Sequence, residues 1–294
     1  MTRVLYINFD GFAKYYYDLA DKAKVPNLVA LIMQSRFFSH CYSLIPSITV
    51  PMQDAIVSGT SSALTRNCYG YYDKESSRFV LCGRHNSAET VAEVLEKAGK
   101  DVLSIQQFGV EEHGCTRNDC HHLYLQPDGT FEKRFDILER YLSTGRVEYD
   151  GTLHASGISY DMVMLYCDDL DTVGHRGGRT EEERVRQVLS RLYAMDERLG
   201  RVMRLLKEKG VYEDTAILLA TDHGMVRMEG KSKRKELEYA IRDAFGYRIS
   251  DETGNLETSD LLITCHSISA QLFVNSAVDI ASLKEYVSRL DYVD

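Results

Sequence analysis

Short apolar runs alternate along this chain with longer stretches of helical spacing. Val4-Leu5-Tyr6-Ile7-Asn8-Phe9 reads as a first strand that ends at Asp10-Gly11. A helix is predicted from about Val25 to Gln34, with Pro26 in its first turn and Leu28, Val29, Leu31 and Ile32 after it. The run from Ser43 to Pro51 reads as extended, because each proline biases its predecessor away from helix. A short helix from about Met52 to Val57 follows and closes at Gly59. Ala88 to Ala98 has Val91, Val94 and Leu95 on one helical face, and Asp101 to Ile105 begins another strand. Residues 110–158 are polar and are expected to form an irregular insertion with a helix near Phe135 to Leu142.

The second half repeats the alternation more strongly. Met162 to Tyr166 and Ala216 to Ala220 read as buried strands. Between them, Glu181 to Lys209 keeps Val185, Val188, Leu192, Met195, Leu199, Val202 and Leu206 on one face. Lys231 to Ala244 predicts a charged helix, Ile263 to Val274 a strand, and Ser282 to Leu290 a last helix. Strands that alternate with helices predict an α/β domain. A mainly parallel central sheet would be covered on both faces as a three-layer α/β/α sandwich. The 294 residues suit a single domain of this kind.

Charge narrows the range of partners. With 35 basic and 44 acidic side chains the net charge is −9, which argues against a nucleic-acid polymer as ligand. A small phosphate-containing substrate stays open, since bound metals supply local positive charge. No apolar run approaches the ~18 residues of a membrane span, and the opening residues read as a strand rather than the core of a secretion signal. Seven cysteines, an odd number, exclude a complete disulfide framework. A reducing cytoplasm is the expected location.

The chemistry sits where the apolar runs end. Asp171 and His175 stand four residues apart after the Met162 strand, and Asp222-His223 follows the strand ending at Thr221. Carboxylate and imidazole are the oxygen and nitrogen ligands of zinc-like metals. Loops at the carboxyl ends of strands converge in α/β folds, so two such pairs point to a two-metal site.

Four segments, Asp10-Gly11, Pro46-Ser47-Ile48-Thr49-Val50-Pro51, Asp171-x-x-x-His175 and Thr221-Asp222-His223-Gly224-Met225, stand in an order that resembles the type I phosphodiesterase/nucleotide pyrophosphatase family of the alkaline phosphatase superfamily. Val25-Pro26-Asn27-Leu28 adds to the match. The resemblance implies an alkaline-phosphatase-like fold and a metal-dependent hydrolase of phosphodiester or nucleotide pyrophosphate bonds. It implies two divalent ions, zinc in the first place and manganese as an alternative. Thr49 matches the nucleophile and is expected to stand at the first metal with Asp10, Asp222 and His223. Asp10, Asp222 and His223 match the ligands of the metal that activates it, and Asp171 and His175 match two of three ligands of the second metal.

Two departures bear on the site. The family's third ligand for the second metal comes from a later histidine, often as His-Gly, and no His-Gly follows residue 224. Either His266 serves or the ligand lies beyond these residues. The latter is expected, because His266 lies in an apolar run. Asn67, before Tyr72-Asp73, matches the family's phosphoryl-oxygen donor at a slightly different spacing. Phosphonate and phosphomonoester hydrolysis are rival activities, and a non-catalytic binding protein is a rival of another class. A sulfatase is disfavoured, since Thr49-Val50-Pro51-Met52-Gln53 lacks the arginine of a Cys/Ser-x-Pro-x-Arg motif. The cluster His113, Cys115, Cys120, His121 and His122 lacks regular zinc spacing and is expected to be an ordinary polar loop.

Overall fold

The computed structural model describes residues 3–226, 231–266 and 268–293. The strands are β1 (Arg3–Phe9), β2 (Gly70–Asp73), β3 (Arg78–Leu81), β4 (Val102–Ile105), β5 (His122–Leu125), β6 (Arg146–Tyr149), β7 (Thr152–Ser156), β8 (Met162–Cys167), β9 (Thr215–Ala220), β10 (Ile249–Ser250), β11 (Leu261–His266) and β12 (Ser269–Val274). The α-helices are α1 (Lys14–Leu19), α2 (Pro26–Gln34), α3 (Thr49–Ser58), α4 (Ser62–Thr65), α5 (Val91–Lys97), α6 (Phe131–Thr144), α7 (Asp169–Arg176), α8 (Glu181–Glu208), α9 (Arg234–Phe245) and α10 (Ile280–Val287).

The central sheet runs β5-β4-β8-β1-β9 with every neighbouring pair parallel. Alternation along each strand splits the core in two. Leu5, Ile7 and Phe9 of β1 join Val163, Leu165 and Cys167 of β8 in one cluster with residues of α2, α6 and α8. Tyr6, Met162, Met164 and Tyr166 enter the opposite cluster with Val57 of α3 and Ala92 of α5. Burial on both faces explains why these strands read as continuous apolar runs. The Pro26-Asn27-Leu28 run has a structural use: buried Asp196 of α8 accepts from the Leu28 amide at 2.7 Å and from Asn27 Nδ2 at 2.8 Å.

A second sheet, β10-β11-β12, packs with α9 and α10 around Leu237, Ile241, Leu261, Ile263 and Leu283. The single strand expected over Ile263 to Val274 is here an antiparallel hairpin of β11 and β12. Ser267, between them, lies outside the described residues.

Residues 110–158 are more ordered than expected. They supply β5 to the central sheet, and α6 buries Phe131, Phe135 and Leu138. The helix expected near Phe135 to Leu142 is α6, longer at both ends, whereas β5 was not expected and is only four residues long. Helix α3 begins at Thr49, earlier than expected. Pro51 falls in its first turn, where a missing N–H costs nothing.

Candidate active site

Parallel strands place their carboxyl ends along one edge, and three adjacent ends carry the candidate ligands. Asp10 follows β1 at the centre, Asp222 follows β9 on one side, and α7 with Asp171 follows β8 on the other. Gly11 has φ +69°, and a Cβ there would meet Asp171 Cα at 3.0 Å, so glycine lets the exit of β1 pack against α7.

Asp10 and Asp222 are almost wholly buried, at 1% and 3% exposure. Ligand atoms of Asp10, Asp222 and His223 all lie within 4.8 Å of one another. His223 Nε2 is 3.4 Å from Asp10 Oδ1 and 3.8 Å from Asp222 Oδ2. The His223 ring is oriented by its other nitrogen, Nδ1, 2.9 Å from the Gly224 carbonyl. That contact assigns the proton to Nδ1 and leaves the Nε2 lone pair facing the carboxylates. Thr49 Oγ1 lies 3.1 Å from Nε2 and therefore donates to it. Asp222 Oδ1 accepts from the His223 amide at 2.9 Å and the Gly11 amide at 3.3 Å, which fixes its other oxygen toward the cluster. Tyr166, buried on β8, donates its hydroxyl to Asp10 Oδ2.

These residues fit a divalent cation. Asp10 Oδ1, Asp222 Oδ2 and Asp171 Oδ1 are buried and accept no hydrogen bond. Unpaired buried carboxylate oxygens are costly, and a cation satisfies them. Burial pushes the Asp10 carboxyl up to about 9, and the charges of Asp222 and Asp171 add to the rise. Burial also raises Asp171 above the usual carboxylate range. Two carboxylates and an imidazole form an oxygen and nitrogen donor set suited to zinc or manganese.

Asp171 and His175 occupy one face of α7, with His175 Nε2 3.3 Å from Asp171 Oδ1 and the His175 side chain 70% exposed. The two aspartates before them anchor the helix. Asp168 Oδ1 accepts from Arg134 of α6 at 2.6 Å, and Asp169 Oδ2 accepts from the Phe131 amide at 2.9 Å. Sequence reasoning missed this role, as it missed Tyr166. An aromatic at the penultimate position of a strand, ahead of an acidic run, is the only signal for it.

His266 and Asn67 are placed elsewhere. His266 ends β11, with Nε2 2.6 Å from Thr264 Oγ1 and its ring 4.0 Å from that of Tyr69. Among the described residues it does not join Asp171 and His175 in a cluster of ligand atoms. Asn67 is fully buried, and its amide donates to Asp54 Oδ2 at 2.6 Å and the Gly83 carbonyl at 3.0 Å. Both its hydrogens are thereby engaged, so the phosphoryl-oxygen donor expected from it is not presented in this arrangement. Of the other histidines, His121 Nδ1 is 2.8 Å from Asp101, His122 Nδ1 is 3.2 Å from Asp119 and His113 Nδ1 is 3.6 Å from Glu93. They meet separate acidic partners rather than one centre.

A buried two-carboxylate, one-imidazole cluster beside a threonine hydroxyl, set on the carboxyl edge of a parallel sheet, is the donor set of a divalent-metal centre in an α/β fold. The family profile described as type I phosphodiesterase / nucleotide pyrophosphatase matches residues 4–282, and the chain belongs to that family. Bis(5'-adenosyl)-triphosphatase enpp4 of Mus musculus is 22% identical over 263 residues, covering 85% of this chain and 53% of the relative. Its Bos taurus counterpart is 31% identical over 239 residues, covering 76% and 48%. The chain thus spans about half the length of the curated relatives it matches. Murine ectonucleotide pyrophosphatase / phosphodiesterase 5, solved as an inactive form in complex with AMP, superposes with a TM-score of 0.63 at 15% identity, over 98% of this chain and 70% of that one. The fold is the alkaline-phosphatase-like sandwich.

Proposed function

We propose that this chain is a metal-dependent hydrolase of phosphodiester or nucleotide pyrophosphate bonds in which Thr49 is the nucleophile. The observation that carries the reading is the Thr49 hydroxyl, 3.1 Å from His223 Nε2, at a cluster whose buried carboxylate oxygens lack hydrogen-bond partners. Family membership supports the reaction class. The murine structural neighbour, inactive with a threonine changed to alanine and in complex with AMP, supports a reaction that depends on a threonine and a nucleotide as ligand. The relatives named bis(5'-adenosyl)-triphosphatase make a dinucleotide polyphosphate the first substrate to try.

Asp10, Asp222 and His223 would hold one divalent ion, and Asp171 and His175 would contribute to a second. Such ions supply Lewis acidity that lowers hydroxyl and water pKa values and neutralises phosphoryl charge. The residues do the rest. Thr49 gives up its hydroxyl proton to solvent, and Oγ1 bonds to phosphorus as the bond to the leaving oxygen breaks, that oxygen departing with the bonding electron pair. Thr49 opens α3 with no side chain capping it, so the first-turn amides of Thr49 and Val50 face the phosphoryl oxygens as donors. Tyr166 keeps Asp10 oriented through its Oδ2. The oxygen of a water then bonds to phosphorus as the phosphorus–Oγ1 bond breaks, and a proton from that water restores the Thr49 hydroxyl.

The test is a substrate panel with added zinc or manganese: a diadenosine polyphosphate, an aryl phosphodiester, an aryl phosphomonoester and an aryl phosphonate. Metal-dependent cleavage of the first two, with AMP released from the dinucleotide, is the expected result. Cleavage of the monoester alone, or of none, contradicts it.

A further inference from the structure

Beneath the site, the sheet face that meets α3 buries three side-chain amides. Asn8, Gln53 and Gln107 are each 0% exposed. Asn8 Nδ2 donates to the Tyr6 hydroxyl oxygen at 2.8 Å. Gln53 Nε2 donates to Asn8 Oδ1 at 3.2 Å, and Gln107 Nε2 donates to Gln53 Oε1 at 2.8 Å. Gln107 Oε1 accepts from the Gly109 amide at 3.3 Å, and its carbonyl accepts from Ser104 Oγ at 3.0 Å. Gln106, a non-glycine residue at φ +67°, turns the chain just before Gln107. Backbone strain of that kind persists only where surrounding structure holds it.

Packing alone does not call for amides here. Buried amides are costly unless fully bonded, and the opposite face of β1 is filled by Leu5, Ile7 and Phe9 without that cost. What the amides share is their spacing from the site. Asn8 precedes Asp10 by two residues, about 6.7 Å along β1 on the same face. Gln53 follows Thr49 by four residues, one turn and about 6 Å along α3. Strand and helix run in opposite senses at this point, so both steps lead away from the site by nearly the same length. The Gln53–Asn8 bond is therefore a lower rung parallel to the contact of Thr49 with His223, whose Nε2 lies 3.4 Å from Asp10 Oδ1. A hydrogen bond at this rung fixes both how far α3 reaches along β1 and how it is rotated.

We infer that Gln53 is a positioning residue for Thr49: by bonding Asn8, it holds the first turn of α3 so that the Thr49 hydroxyl meets the Asp10, Asp222 and His223 cluster. This rests on the nucleophile reading above. Gln53 touches neither substrate nor ligand atoms, and acts through the helix.

The test compares Gln53→Met, Asn8→Ala and Gln107→Leu with the parent on one diester. Gln53→Met keeps the volume and removes the amide. Because a misplacement near 1 Å costs about 100-fold, kcat should fall about 10- to 100-fold with KM within about threefold. Zinc affinity of the Asp10 cluster, read by calorimetry, should stay within about threefold of the parent, as no ligand is altered. A crystal structure of the variant should show Thr49 Oγ1 displaced from its 3.1 Å contact with His223. Asn8→Ala breaks the same bond from the strand side and should match Gln53→Met, which covers a failure of either variant to fold. Gln107→Leu leaves that bond in place and should lose less than about threefold. Unchanged kcat in Gln53→Met from an active parent, or an equal loss in Gln107→Leu, overturns the inference. A parent that cleaves no diester removes the nucleophile reading instead, and the position of Thr49 in the variant structure still decides the role of Gln53.

Discussion

The two candidate metal positions are built differently. Asp10, Asp222 and His223 extend from the ends of the adjacent strands β1 and β9, and the two carboxylates are almost wholly buried. Asp171 and His175 stand on α7, eight residues long, with the His175 side chain 70% exposed. These strand ends inherit the rigidity of the sheet, β1 being hydrogen-bonded to β8 and β9 on its two sides and the edge strand β9 to β1. A helix one strand away is placed by its anchors, here Arg134 to Asp168 and the Phe131 amide to Asp169. The contrast teaches that the first cluster is pre-formed, whereas the second pair is held at one remove from the sheet. The account therefore expects one tight ion and one weaker one.

The largest effect should come from Thr49, the proposed nucleophile. Thr49→Ala should lower kcat by at least about 1,000-fold, since it removes the covalent route. Its zinc binding should stay near that of the parent, measured by calorimetry, because Thr49 is not needed to hold the carboxylates. Next, Asp222→Ala should weaken the tight ion by more than ~100-fold, beyond the range typical of residues that only orient ligands. His175→Ala should leave that ion nearly unchanged and weaken only the second. Equal effects of both on the tight ion would erase the contrast. Tyr166→Phe should weaken the tight ion by about 10- to 100-fold, the range for a lost hydrogen bond to a ligand. Wild-type affinity in that variant would show that Asp10 needs no support from β8.

Much of this contrast could be read before the structure, and the reasons are local. Asp10 and Asp222 were legible because short apolar strands end abruptly at polar residues, and a parallel sheet gathers such ends, whereas Thr49, the first residue of α3, was legible through the family resemblance. Position within α7 was not legible. Asp171 and His175 looked like a strand-end loop, yet their four-residue spacing is that of one helical face. Asn67 was legible as a residue but not in its contacts, because its partner Asp54 is thirteen positions away and buried in α3. The amide layer under Thr49 was hidden for the same reason, since Asn8, Gln53 and Gln107 lie on three separate elements.

Smaller effects sharpen the picture around α3 and the second sheet. Burial raises the Asp54 carboxyl to about 7, against partial relief from Asn67 and Arg84. Its charged form therefore opposes folding, so the Asp54 contribution to stability is greatest in acid and falls as pH rises from about 4 through about 7. Urea unfolding of Asp54→Asn should lack that part of the fall, gaining about 2–4 kcal/mol relative to the parent at pH 8 over pH 4. An unchanged pH slope would place Asp54 in a wetter setting than the structure gives it. His266→Ala should leave both zinc-binding steps as they are, because its Nε2 is engaged by Thr264. A lost second step would assign His266 to the second ion.

The most direct test is anomalous diffraction at the zinc edge from crystals grown with zinc. The account predicts a strong peak bonded to Asp10, Asp222 and His223 at about 2.0–2.2 Å, with Thr49 Oγ1 beside it. A peak at Asp171 and His175 should be weaker. Zinc bound only elsewhere, or an empty Asp10 cluster at zinc levels that support full turnover, would contradict it.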